Sequence, residues 1–190
     1  MFAETGTRCL GRRGRLGDVR RSVAVVTSVL WFVLTGGTGA VLVPWWLTGW
    51  QVRHPFPYWG VAQAVGVVLI VAGLSAPVHV FVQFVRAGGT PMPGAMTTRL
   101  VVTGLNRYVR NPIYLGAVTI FVGEGLLLGR LSLLLYAVAA WMGIAAFVRW
   151  YEEPALVRRF GADYQVYRRA VPAWLPRLHP WDPDAPVGIR

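Results

Sequence analysis

The stretch IYLGAVTIFVGEGLLLGRLSLLLYAVAAWMGIAAFVRW, residues 113–150, decides the fold. It holds two apolar runs, Ile113–Gly129 and Leu131–Trp150, with only Gly129–Arg130 at the joint. A helix needs about 20 residues to cross a hydrocarbon core of about 30 Å. Each run reaches or nears that length, and so short a joint permits only a tight antiparallel helical hairpin. Working outward, two further apolar runs precede the hairpin, Ser22–Leu47 and Tyr58–Val85. The expected fold is all-α: a polytopic membrane protein of about four transmembrane helices, followed by an amphipathic interfacial helix.

Composition agrees. Of 190 residues, 55% are hydrophobic and 14% charged, against about 25% charged in an ordinary soluble domain. Net charge is +11, and all nineteen basic residues are arginine. With the N-terminus inside, seventeen arginines fall on the cytoplasmic side: six in the tail before Ser22, four between Arg86 and Arg110, and seven from Arg149 onward. Only Arg53 and Arg130 fall outside. That bias predicts a protein integral to the cytoplasmic (inner) membrane with both termini cytoplasmic. Arginines that follow the membrane boundary instead of forming one patch argue against nucleic acid as a partner. Cys9 is the sole cysteine, which excludes an intrachain disulfide and a cysteine-built metal cluster. No metal site is expected. The first apolar run is too long for the core of a cleaved signal and is read as an uncleaved span. Its TGGTGA segment, residues 35–40, allows close helix contact or marks a bend.

Two stretches look alike: QVRHPFPYWG, residues 51–60, and RYVRNPIYLG, residues 107–116. The topology puts them on opposite sides, so they do not form equivalent sites. The first reads as a proline turn with interfacial aromatics. The second opens the third span on the cytoplasmic side. Pro112 suits a first helical turn, where a missing N–H costs nothing, with Asn111 as its N-cap. Arg110 sits at the membrane surface. Tyr114 and Gly116 follow, and glycine admits close approach of a backbone or a flat ligand. The hairpin then returns Glu152 and Glu153 beside Arg110–Tyr114. Two adjacent carboxylates at a lipid boundary are costly unless they bind something. Beyond them Leu156, Phe160, Tyr164, Tyr167 and Val171 recur at spacings of four, four, three and four. That is one helical stripe, with Arg158, Arg159, Arg168 and Arg169 off it, so an amphipathic helix lying on the membrane is expected. The loop RAGGTPMPGAMTTRLVVTGLNRYVRNP, residues 86–112, is too long for a mere connection. It is expected to fold over the same face. Glu124 is read as a pairing or helix-contact residue near Arg130. His79 and Gln83 share a helix face, within reach of that site or of another helix.

GTPMP, RLVVTGLNRYVRNPIYLG and YEEPALVRRFGADYQVYRRAVPAWLP, with the hairpin between them, resemble the isoprenylcysteine carboxyl methyltransferase-like family, which is related to the phospholipid methyltransferases. The resemblance implies an integral-membrane methyltransferase that uses S-adenosylmethionine and a lipid or lipid-like acceptor. Carboxyl O-methylation is favoured over phospholipid N-methylation or a non-catalytic scaffold. It places the cofactor against the strand-like Leu100–Gly104 stretch (Leu100, Val101, Val102 and Gly104), Asn111, Pro112, Tyr114 and Glu152 or Glu153; Arg110, suited to the cofactor's carboxylate, and Gly116, open to a flat ligand, complete the candidate cofactor-binding set. Arg149 precedes the Glu pair at the interface, which makes it the candidate to hold an anionic acceptor; with Glu152 and Glu153 it forms the expected catalytic set. Two positions depart from the family pattern: Asn111 replaces a histidine, and Asn106 stands where a tyrosine is common. The expected organisation is an Arg-rich tail (1–21), two helices (22–85), a methyltransferase-like core (86–180) and a tail (181–190). The oligomeric state is not legible in the sequence.

Overall fold

The structure, a computed structural model, describes residues 30, 34–55, 57–86, 100 and 102–182. Among the described residues every regular element is helical. A π-helical turn, Thr38–Leu42, leads into α1, Val43–Thr48, and Gly49 ends it in the left-handed conformation. Helix α2 spans Trp59–Arg86. A short 3₁₀ turn, Gly104–Arg107, precedes α3, Pro112–Leu128, and Gly129 (φ 64°) separates α3 from α4, Leu131–Phe147. A second π-helical turn, Val148–Glu152, carries α4 into α5, Glu153–Ala170.

Among the described residues two helices are long and apolar enough to cross a membrane: Trp59–Val80 of α2, and the helix that begins at Leu131. Helix α3 is shorter, 17 residues, or about 26 Å at 1.5 Å per residue. The described part of the first apolar run is helical from Leu34. Its remainder, like the tail 1–21, Val101 and most of the 86–99 loop, lies outside the described residues. The Leu100–Gly104 stretch, expected to be strand-like, is extended at Thr103 (φ −128°, ψ 159°) and then coils into the 3₁₀ turn. It joins no strand among the described residues.

Helices α2 and α3 meet along a seam of glycines. A Cβ on Gly66 would lie 2.6 Å from the Gly123 carbonyl oxygen, and one on Gly123 would lie 2.7 Å from that of Gly66. Gly73 and Gly116 repeat the arrangement one heptad away, at 2.6 Å in both directions. Small residues let two backbones approach where lipid supplies no hydrophobic drive for association. The other face of α2, including Val61, Val68, Val71, Leu74 and Val78, is exposed and apolar. On the far side of the hairpin, the TGGTGA segment makes the contact its composition allows. Gly39 lies against Phe121, and its carbonyl accepts the Tyr136 hydroxyl at 3.0 Å.

The QVRHPFPYWG loop serves the hairpin. The Arg53 N–H donates to the Leu128 carbonyl (2.9 Å) and Arg130 donates to Gln51 (3.1 Å). Trp59 and Gln63 donate to the carbonyls of Leu126 and Leu127. These bonds satisfy α3 carbonyls that the helix end would otherwise leave open. The loop and the RYVRNPIYLG stretch thus lie at opposite ends of α3.

Replacing Gly73 or Gly123 by alanine is expected to lower the melting temperature in detergent clearly, because the new methyl meets a backbone oxygen. Gly143, with open space around it, is the control. Gly143→Ala is expected to be neutral, or to stabilise by about 0.5–1 kcal/mol.

Candidate functional site at the α3 N-terminus

Glu153 is 5% exposed, and two arginines neutralise it. Arg110 Nη1 donates to Oε1 at 2.5 Å, and Arg168 Nη2 lies 3.2 Å from Oε2. The same Arg110 nitrogen reaches the Tyr164 hydroxyl at 3.3 Å. Beside this chain Tyr114 donates its hydroxyl to Glu152 Oε2 at 3.0 Å. The returning helix therefore brings both carboxylates to Arg110 and Tyr114, as the hairpin topology implies. Glu152, beyond the apolar run of α4, has its pKa raised by burial; the Tyr114 hydrogen bond opposes that and the Glu153 charge adds to it. Burial also pushes the hydroxyls of Tyr164 and Tyr167 up, although Arg110 pulls both down.

Sequence reading missed Arg168, for a geometric reason. Fifteen residues along a straight helix cover about 22 Å, too far for an ion pair. At Gly161, however, the backbone turns to φ 55°, ψ −124°, a conformation open essentially to glycine alone. The second half of α5 folds back and returns Arg168 and Tyr164 to Glu153 and Arg110. Gly161, between two halves of an apolar stripe, was the available signal. The single straight stripe expected from the spacing is thus broken, yet its residues still cluster. Tyr164, Tyr167 and Val171 are buried with Leu156, Phe160, Leu100, Val102 and Trp181. Protein segments cover this stripe, so it is not left open to lipid.

Other expected site residues have mixed fates. Leu100 and Val102 belong to that apolar cluster, and Val101 lies outside the described residues. Gly104 has φ 52°, and a Cβ there would overlap Gln83, whose Oε1 accepts from Thr103 (2.9 Å). Gln83 Nε2 also lies 2.6 Å from His79 Nε2, so the two share a face as read and meet the 3₁₀ segment. Asn106 is buried, and its carbonyl accepts from the Tyr167 hydroxyl at 2.7 Å. Asn111 occupies the N-cap position but makes no side-chain cap. Its amide nitrogen donates instead to Ala173 O at 3.2 Å, while its own carbonyl accepts from Leu115 N–H. Gly116 receives a backbone, that of Gly73. Arg149 is exposed on the π-helical turn and takes no part in the ion pairs of Arg110, Glu153 and Arg168. Glu124 is buried, but Arg130 turns to Gln51, so of the two roles read for Glu124 the pairing does not form and helix contact remains. Glu124 Oε2 has no hydrogen-bond partner among the described residues.

An apolar groove of about 370 Å³ flanks the N-terminus of α3. Gly73, Tyr108, Pro112, Leu115, Gly116 and Pro176 line it among others. Tyr114 is not among its lining residues; its hydroxyl turns to Glu152. Val109–Pro112 joins the two environments: Val109 and Pro112 line the groove, and Arg110 between them holds Glu153.

The described residues are thus all-helical outside their loops, with two helices among them long and apolar enough to cross a membrane and a charged cluster at the N-terminus of α3. A family model described as Phospholipid methyltransferase matches residues 61–163, just over half of the chain. This chain belongs to that family. It is also 37% identical over 80 residues to the Protein-S-isoprenylcysteine O-methyltransferase of Schizosaccharomyces pombe. The matched region is 42% of this chain and 34% of that relative, so the chain spans about a third of the relative's length. No solved structure matches.

Removing one partner of a buried ion pair strands the other charge, at about 3–5 kcal/mol. Glu153→Gln is therefore expected to cost several kcal/mol of stability in a denaturation series, and Glu152→Gln much less. Gly161→Ala meets no atom within 4 Å and tests the backbone alone. It is expected to cost roughly 1–3 kcal/mol.

Proposed function

We propose that the protein transfers a methyl group from S-adenosylmethionine to a lipid-tailed acceptor, at the cytoplasmic face of the inner membrane. The observation that carries this reading is the buried Arg110–Glu153–Arg168 chain beside Tyr114–Glu152, next to an apolar groove at the same helix end. On this reading the chain crosses the membrane about four times, with both termini cytoplasmic. The exposed apolar face of α2 and the arginine distribution support that placement. The proposed core is 86–180, with 22–85 as its helical partner and 1–21 and 181–190 as tails.

The residues present fit the cofactor's functional groups. Arg110 Nε is buried without a hydrogen-bond partner among the described residues, a donor suited to a carboxylate. Glu152 accepts one hydrogen bond, from Tyr114, which leaves acceptor capacity for an ammonium or a ribose hydroxyl. When bound, the cofactor supplies an electrophilic methyl group on a sulfonium. Glu153, held by two arginines, fixes Arg110, and Tyr114 fixes Glu152. Their orientations are thus set before any ligand arrives, which is the main contribution an enzyme makes to a direct displacement. The apolar groove walled by Val109, Pro112 and Leu115 receives the acceptor's lipid chain. An anionic acceptor loses charge as it is methylated, and low polarity favours that change. Exposed Arg149, next to Trp150 and Tyr151 at the boundary, is placed to hold the acceptor's anionic group.

The name of the Schizosaccharomyces pombe relative favours carboxyl O-methylation, whereas the family's name points to phospholipids and keeps N-methylation as the second reading. Radiolabelled methyl donor, given to purified protein with a prenylated cysteine or with phosphatidylethanolamine, separates them. A methyl ester releases volatile methanol in base; an N-methyl product does not. We expect base-labile label on the prenylated cysteine, a ten-fold or greater loss of turnover in Tyr114→Phe, and a raised acceptor KM in Arg149→Ala. Label on neither acceptor, with no S-adenosylhomocysteine binding by folded protein, would leave a non-catalytic scaffold.

A further inference from the structure

Residues 171–181, VPAWLPRLHPW, leave α5 and run back across the N-terminus of α3. Pro172 O accepts from the Arg110 N–H (3.0 Å), and Ala173 O from the Asn111 side chain. The N–H groups of Arg177 and Trp181 donate to Tyr108 O and Arg107 O, both at 2.9 Å. Arg107 Nε returns a bond to Trp181 O, and Arg177 Nη1 bonds Ala170 O. The segment is non-helical yet tied to the protein on its inner side.

Its exposed residues are Pro172, Leu175, Pro176, Leu178, His179 and Pro180, apolar but for the one imidazole. Leu175 is 79% exposed and Leu178 is 92% exposed. Trp174 lies edge-on to Trp141, with ring centroids 6.2 Å apart. Trp141 belongs to α4, six residues before that helix ends, and is itself exposed together with Met142 and Phe147. The segment's apolar side therefore continues the lipid-facing surface of a spanning helix. An aqueous location would leave two leucines in water beside that surface. Irregular backbone at bilayer depth normally fails on unpaired N–H groups. Here Pro172, Pro176 and Pro180 have none, and those of Val171, Arg177 and Trp181 are bonded. The remaining donors suit a shallow seat, where headgroups and water still reach them.

We infer that Val171–Trp181 is an interfacial strap, seated at the headgroup–acyl boundary of the leaflet on the arginine-rich side, with Leu175 and Leu178 anchored in acyl chains. Its partner is the bilayer itself. The inference rests on the membrane placement proposed above. Because the strap's carbonyls hold Arg110 and Asn111, that lipid contact is one bond away from the candidate site.

The test uses nitroxide labels on the full chain in a Cys9→Ser background, in vesicles of phosphatidylcholine and phosphatidylglycerol. Labels at Leu175→Cys and Leu178→Cys are compared with Val68→Cys, exposed near the middle of α2, and with Asp163→Cys, exposed on α5. All four side chains are exposed, so folding is spared. Relaxation by oxygen should exceed that by a water-soluble nickel chelate at 175 and 178, with a ratio between those at 163 and 68. Water-like relaxation at 175 and 178, with 68 protected, overturns the strap and leaves the membrane reading standing. Water-like relaxation at 68 as well overturns both.

Discussion

The contact between the backbones of α2 and α3 governs the rest of this structure. In lipid, apolar side chains gain little by facing one another, so helix association depends on close packing. The pairs Gly66–Gly123 and Gly73–Gly116 supply it, two on each helix at a spacing of seven, in antiparallel register. This seam fixes how far along α2 the helix α3 begins. Pro112 is set against α2, and Gly104 meets Gln83. A shift of one turn along the seam would separate the 3₁₀ segment from the helix that supports it.

The second constraint is electrostatic. A buried carboxylate survives only when its charge is met, and Glu153 is met from two directions by residues 43 positions before it and 15 after it. Arg110 comes from the start of α3; Arg168 comes from a helix that has to reverse at Gly161. The ion-paired cluster and the helical seam thus depend on one another. The seam places Arg110, the hairpin returns Glu153, and the reversal closes the set. An apolar core of Tyr164, Tyr167 and Val171 holds that closure from outside.

Much of this was legible in the sequence. The hairpin could be read because Gly129–Arg130 leaves no room for another connection, and the meeting of Glu152–Glu153 with Arg110–Tyr114 followed from it. The recurrence of Leu156, Phe160, Tyr164, Tyr167 and Val171 identified residues that do cluster. What covers them was not legible. Period reports a shared face but not the neighbour, and the neighbours here, Leu100, Val102 and Trp181, are far away in sequence. The role of Arg168 was hidden because spacing arguments assume a straight helix, which one glycine conformation abolishes. Asn111 matched the N-cap pattern, yet a carbonyl from the C-terminal segment took its amide. Gly116 was read as room for a ligand or a backbone, and the backbone occupies it.

The reversal at Gly161 also sets an order of assembly. The chain is made from its N-terminus, so α2 and α3 precede the residues after Gly161 and can insert and pack before those residues close upon them. Arg168, Tyr164 and the carbonyls of Pro172 and Ala173 arrive after the helices they close upon. Until then Arg110 and Glu153 have each other but lack their outer shell, and the end of α3 stays open to water. The membrane core can therefore mature before the charged cluster does, and the final twenty residues of the described chain convert a packed set of helices into a finished site.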